Sequence, residues 1–189
     1  MNLPNKLSLF RVILVPVLVV VYYLGSKVIY PTLTSELIDY FLMPIFVVAS
    51  ITDFLDGYIA RKNNLVTVFG KFIDPLADKL IVMAALLILN DAGVIPIWIT
   101  VLILSREFIV TGIRLIAVGD GKVIAASNLG KYKTASTMIA LVMLLALPYI
   151  PFEEFKLAGM IVLYIGTALT VISGLDYFVK NKEIITSSI

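Results

Sequence analysis

Six apolar stretches of about membrane-crossing length follow one another along this chain with almost nothing between them. A bilayer-spanning helix needs about 20 mostly apolar residues. Stretches that qualify run Leu7–Leu24, Leu37–Arg61, Phe72–Asn90, Val94–Val118, Lys131–Leu147 and Phe155–Phe178. The breaks carry turn chemistry, "GSK", "NDAG", "GDGK" and "PYIPFEE". With 60% hydrophobic and 15% charged residues among 189, the chain lacks the polar surface of a soluble domain. It reads as an all-α integral membrane protein, a single transmembrane domain over residues 1–189. The apolar N-terminus reads as a short interfacial segment entering the first span and not as a cleaved leader, because Arg11 interrupts it and no small-residue cleavage site follows.

Lysine and arginine set the orientation. Arg61, Lys62 and Lys71 lie between the second and third stretches, and Lys122, Lys131 and Lys133 between the fourth and fifth. Lys6 and Arg11 sit at the head, Lys180 and Lys182 at the tail, and the opposite loops hold only Lys27 and Lys156. The positive-inside rule puts both termini in the cytosol and predicts a multi-pass cell-membrane protein.

There is no Cys and no His. That excludes disulfides, thiol catalysis and zinc sites with Cys or His ligands. Proton chemistry falls to carboxylates, Lys or Tyr. Any metal has oxygen ligands, which favour hard cations. The formal net charge is +2, and no basic run interleaved with aromatics suggests nucleic acid.

Four carboxylates stand out against this background. Asp53 and Asp56 are three apart near the end of the second stretch; Asp74 and Asp78 are four apart near the start of the third. Those spacings put each pair on one helical face. Antiparallel neighbours would bring all four to one depth, just inside the cytosolic surface. Four buried carboxylates repel, and one or two divalent cations are the natural compensation. Such ions would in turn bind a polyphosphate. Alternatives stay open for single residues. Asp74 before Pro75 also suits a helix cap. Gly57 and Ala60 suit close helix packing as well as a flat ligand, and Arg61 can meet a phosphate or snorkel to headgroups.

Further along, Arg114, Lys131 and Lys133 lie near the cytosolic ends of the fourth and fifth stretches and suit a phosphate-bearing acceptor. Arg114 is the deepest and the least explained by topology. Arg106 and Glu107 near mid-helix read as a structural pair or as support for the acceptor site.

Asp53, Asp56, Gly57, Ala60, Arg61, Gly70, Asp74 and Asp78 match, spacing included, the pattern D-x-x-D-G-x-x-A-R, eight residues, G-x-x-x-D-x-x-x-D. In this the chain resembles the CDP-alcohol phosphatidyltransferase family. "LPNKLSLFR" and "SREFIVTGIRLIAVGDGKVIAASNLGKYKT" extend the likeness toward members that make phosphatidylglycerophosphate. Ser8 stands where the family often has Thr. The resemblance implies six transmembrane helices, usually in a homodimer, with the site open to the cytosol. It implies two Mg2+ or Mn2+ ions held by Asp53, Asp56, Asp74 and Asp78, with Asp78 also the catalytic base. It implies CDP binding by Asn5, Asp56, Gly57, Ala60, Arg61 and Gly70, and acceptor-phosphate binding by Arg114, Lys131, Lys133 and Arg106. The expected reaction moves the phosphatidyl group from CDP-diacylglycerol to sn-glycerol 3-phosphate, releasing CMP. Alternatives are inositol phosphate, serine or phosphatidylglycerol as acceptor, or, in another class, a divalent-cation transporter.

Overall fold

The computed structural model describes residues 2–24, 35–62, 67–119 and 128–182. All the elements within them are helical: α1 (Leu3–Tyr23), α2 (Ser35–Lys62), α3 (Val68–Asp91), α4 (Ile97–Gly119), α5 (Asn128–Leu145) and α6 (Glu153–Lys180).

Local chemistry explains where several helices begin. Asn2 caps α1 by accepting the Asn5 N–H at 3.2 Å, and Pro4 sits in the first turn, where its missing N–H costs nothing. The Thr67 hydroxyl caps α3 by accepting the Gly70 N–H at 2.9 Å. This corrects two expectations. The third helix starts at Val68 and not near Phe72, and Asp74 is no cap, because Thr67 already fills that role. Pro75 consequently lies inside the helix. Helix α1 begins at Leu3. The α3–α4 turn uses Gly93 at φ 71°, a left-handed conformation that favours glycine. Glu153 and Glu154 open α6 and Lys180 lies in its last turn, each matching the helix dipole.

Helices α1, α2 (over Tyr40–Ile59) and α6 are long and apolar enough to cross a membrane. In the other three, charged residues interrupt the apolar run: Asp74, Asp78 and Lys79 in α3; Arg106, Glu107 and Arg114 in α4; Lys131 and Lys133 in α5. The bundle exposes many large apolar side chains and buries several polar and charged ones beside its apolar core. Ile13, Val17, Phe108, Leu115, Ile165 and Leu175 are exposed, whereas Arg11, Ser8, Asp56, Lys133 and Ser173 are buried. That pattern fits a lipid surround.

Helix α1 packs on α2 and α3, and α6 packs on α4 and α5. A core of Leu18, Phe46, Ala49, Ile81, Ala85, Ile99, Leu141, Leu144 and Leu163 joins them. Small residues bring α5 and α6 together. A Cβ on Gly159 would meet Leu144 Cδ2 at 2.9 Å, and one on Gly166 would meet the Thr137 hydroxyl at 3.1 Å and its backbone nitrogen at 3.3 Å.

Candidate active site

The site begins on the buried stripe of α1. Pro4, Asn5, Ser8 and Arg11 recur at helical spacing and all face inward. Asn5 takes a hydrogen bond from the Thr67 hydroxyl at 3.0 Å. Gly70 completes this contact: a Cβ there would lie 2.9 Å from Asn5 Oδ1 and 3.1 Å from Thr67 Oγ1, so a larger residue would push α1 off the start of α3.

One and two turns further along α1, Ser8 and Arg11 gather the carboxylates. Arg11, with none of its surface exposed, pairs through Nη1 with Asp53 and through Nη2 with Asp56. The Ser8 hydroxyl lies 3.1 Å from the Pro4 carbonyl and 3.2 Å from Asp56 Oδ2, and also contacts Asp74 Oδ1. A hydroxyl has one proton and serves one acceptor at a time, so Ser8 cannot satisfy both carboxylates. Arg11 Nε is buried without a partner. Three acidic residues from two helices therefore converge on one guanidinium and one hydroxyl, leaving the cluster short of positive charge.

A divalent cation suits that shortage. The donors are all oxygen, and a buried cation, Arg11, already lies against two of the carboxylates. Among the described residues, no three acidic side chains yet converge as a finished metal cage.

Asp78 lies one turn beyond Asp74 and lines a different space. A cleft of about 120 Å³ opens between α3, α4 and α5. Leu80, Val82 and Met83, Ile103 and Leu104, and Met138 form its apolar walls, and Asp78, Lys79, Glu107 and Lys133 its polar side. Asp78 is within electrostatic reach of Asp53 and Arg11 on one flank and of Glu107 and Lys133 on the other. Among the described residues it makes no direct hydrogen bond or ion pair. Lys133, only 7% exposed, pairs with Glu107. Lys79 donates to the Thr111 hydroxyl.

The expected acceptor cations do not form one group. Lys133 faces the cleft. Arg114 instead donates from Nε to the Tyr177 hydroxyl at 3.2 Å, with its guanidinium 5.5 Å from the Tyr177 ring centre, which ties it to α6. Lys131 is exposed. Arg106 reaches Ser173 at 3.1 Å and Glu107 at 3.4 Å, and its stem lies over Gly174, where a Cβ would meet Arg106 Cγ at 2.9 Å. That supports the structural-pair reading of Arg106. Gly57 is half-buried on α2. The Ala60 and Arg61 side chains lie outside the described part of the molecule.

Sequence reasoning passed over two residues. Arg11, given no part in the site there, is the counter-ion of the acid cluster. Lys79 adds a cation beside Asp78. Both had a signal: each is a charge inside an otherwise apolar helix, which is costly unless something pairs with it.

Comparison with known proteins gives the family. The family model described as CDP-alcohol phosphatidyltransferase matches residues 1–172. A Bacillus subtilis protein named CDP-diacylglycerol–glycerol-3-phosphate 3-phosphatidyltransferase is 45% identical, over 99% of this chain and 98% of its own length. Proteins of the same name from Rickettsia bellii (40% identical, over 96% of each chain) and Haemophilus influenzae (38%, over 96% of this chain and 94% of the relative) are similar as well. With the signature carboxylates gathered at the facing ends of α2 and α3, and a family match over nearly its whole length, the chain belongs to the CDP-alcohol phosphatidyltransferase family.

Proposed function

We propose that this protein transfers the phosphatidyl group of CDP-diacylglycerol to sn-glycerol 3-phosphate, giving phosphatidylglycerophosphate and CMP in phospholipid biosynthesis. The observation that carries the reading is the neighbourhood of an acid cluster on α2 and α3 and a cleft between α3, α4 and α5 that holds Lys79 and Lys133, with Asp78 on its lining toward the acid cluster. Relatives that share nearly the full length bear the name of this activity.

The acid cluster is assigned to the nucleotide end of the donor. Asp53, Asp56, Asp74 and Asp78 would hold Mg2+ or Mn2+, two ions in the fullest form. When bound, the metal supplies positive charge against the pyrophosphate and the departing CMP. Asn5, Gly57, Ala60, Arg61 and Gly70 are assigned to the CDP around it, with Asp56 shared between nucleotide and metal. The lack of bulk at Gly57 and Ala60 would let a ligand approach the backbone, while Gly70 lets Asn5 and Thr67 meet beside it.

The cleft is assigned to the acceptor. Lys133 and Lys79 suit its phosphate, with Arg106 supporting Lys133 through Glu107. Asp78 takes the proton of the attacking hydroxyl; in a chain without His a carboxylate is the expected base. The acceptor oxygen bonds to the phosphatidyl phosphorus, the bond from that phosphorus to the CMP oxygen breaks, and CMP leaves with its electron pair. A single displacement accounts for every signature residue without a covalent intermediate.

The setting follows from the same reading: six spans, both termini and the site on the cytosolic side of the cell membrane, one domain, and a homodimer. The spread of Lys and Arg supports the orientation.

Purified protein with CDP-diacylglycerol, magnesium and a panel of acceptors tests the assignment by CMP release. Glycerol 3-phosphate should be used well above serine, inositol phosphate and phosphatidylglycerol. A clear preference for another acceptor would overturn the acceptor; no CMP release with any of them would overturn the activity. Labelled CMP exchanging into CDP-diacylglycerol without acceptor would replace the single displacement by a two-step path.

A further inference from the structure

Helix α4 moors both lysines of the cleft. Glu107 and Thr111, one turn apart, share a face of α4. The Glu107 carboxylate holds Lys133 of α5, and the Thr111 hydroxyl receives Lys79 of α3. Thr111 in turn donates to the Glu107 backbone carbonyl at 2.7 Å. A lysine ammonium has three donors, and the buried Lys133 spends one of them on Glu107 Oε1. Arg106 approaches the same oxygen at 3.4 Å. One carboxylate thus faces two cations, Lys133 and Arg106, while the cleft itself is lined by Lys79 and Lys133 together with Asp78 and Glu107. An anion entering the cleft meets cations that already have an internal anion.

We propose that Glu107 is a specificity-determining residue that acts as a built-in competitor for Lys133. An acceptor engages Lys133 only by taking it from Glu107. A phosphate, with up to two charges and several acceptor oxygens, can do so; a carboxylate or a neutral hydroxyl compound competes poorly. Glu107 thereby weakens the binding of every anion and sets a threshold that phosphate-bearing acceptors pass. The inference rests on the reading of Lys133 as an acceptor-phosphate residue.

Full-length protein in detergent tests it, with KM for glycerol 3-phosphate and inhibition constants for inorganic phosphate and glycerate as readouts. In Glu107→Gln, KM for glycerol 3-phosphate and the phosphate inhibition constant should fall together by about tenfold, the lower end expected for one charged hydrogen bond. The glycerate constant should fall further than either, and an equal fall would overturn the specificity role. KM for CDP-diacylglycerol should stay put. The kcat is read separately, because a released Lys133 has Asp78 as a neighbouring carboxylate. Glu107→Asp keeps the charge but shortens the reach. It should show the same signs at smaller size, and it carries the test if the Gln variant does not fold. The double variant Glu107→Gln, Lys133→Gln should match Lys133→Gln alone. Unchanged or raised KM and inhibition constants in both single Glu107 variants would overturn the proposal. If Lys133→Gln raises KM while the Glu107 variants lower nothing, only the competitor role falls. If Lys133→Gln itself leaves KM alone, the acceptor assignment of Lys133 has failed, and this inference with it.

Discussion

The two charged regions flanking Asp78 are mirror images in charge. On the α1–α2 side, the buried Arg11 pairs with Asp53 and Asp56, and Ser8 links Asp74 to the same cluster. On the α4–α5 side, Arg106 and Lys133 share one carboxylate, Glu107, and Lys79 of α3 adds a cation held by Thr111. Each cluster carries a single internal counter-charge, too little to neutralise it. The remaining excess has opposite sign on the two sides. An acid excess calls for cations and a base excess calls for anions, so one half suits metal and the other a phosphate. The internal counter-charges keep each half foldable without its ligand, since an unpaired buried charge is far costlier than a paired one.

The largest expected effect breaks the acid side. Replacing Asp53, Asp56 or Asp74 by Asn keeps the shape and removes a charge. CMP release should fall by on the order of 10²- to 10³-fold or more, the scale for losing a group that stabilises developing charge, while the protein still inserts and purifies. Near-normal turnover in any two of these variants would remove the acid cluster from the chemistry and leave the comparison as a packing feature.

Next comes the counter-ion. Arg11→Gln strands a buried Asp56 beside Asp53, and breaking a buried pair costs about 3–5 kcal/mol. Thermal unfolding in detergent with EDTA should show that loss. Saturating magnesium should restore more stability to Arg11→Gln than it adds to the original protein, because the ion then neutralises the same carboxylates. Equal magnesium effects on both proteins would mean that Arg11 and the metal do not share the cluster.

The acid side was far more legible in the sequence than the base side, and the reason is spacing. Asp53, Asp56, Asp74 and Asp78 lie on two helices joined by a short connection, so helical period alone nearly placed them. Their partners come from 42 to 66 residues away on α1, and no local pattern announces Ser8 or Arg11 as those partners. On the base side, Arg114, Lys131 and Lys133 look equivalent along the chain, all near cytosolic helix ends. Which of them turns inward depends on how α4 and α5 rotate against α3 and α6, a matter of packing around Gly159, Gly166 and Gly174. Apolar length and charge outlined the helical bundle, whereas the start of α3 depended on the Thr67 cap and not on hydropathy.

On the base side, Lys133→Gln should raise KM for glycerol 3-phosphate by roughly 10- to 150-fold, the range for one hydrogen bond to a charged group. KM for CDP-diacylglycerol should move little, because its phosphates belong to the other half. A parallel rise in both would mean that the two charged regions do not divide the substrates between them.

The smallest effect separates cations that touch the acceptor from cations that only orient the chain. By depth in the sequence Arg114 looked the best of the three for contact with substrate. In the fold it clasps Tyr177 of α6 through a hydrogen bond at 3.2 Å and a ring contact, outside the cleft lining. Lys131 is exposed, and an exposed charge contributes little to any single interaction. Arg114→Gln and Lys131→Gln should each change KM for glycerol 3-phosphate by less than about fivefold, the equivalent of a solvent-exposed ion pair. Arg114→Gln should also lower the unfolding temperature modestly, since Tyr177 loses its partner, while Lys131→Gln should not. Kinetics with each substrate varied separately, beside a thermal scan, distinguish the cases. If Arg114→Gln instead matches Lys133→Gln in KM and leaves the unfolding temperature alone, Arg114 must leave Tyr177 to meet the acceptor. The base side would then be a site assembled by its substrate, unlike the acid side, where Arg11 and Ser8 already gather the carboxylates.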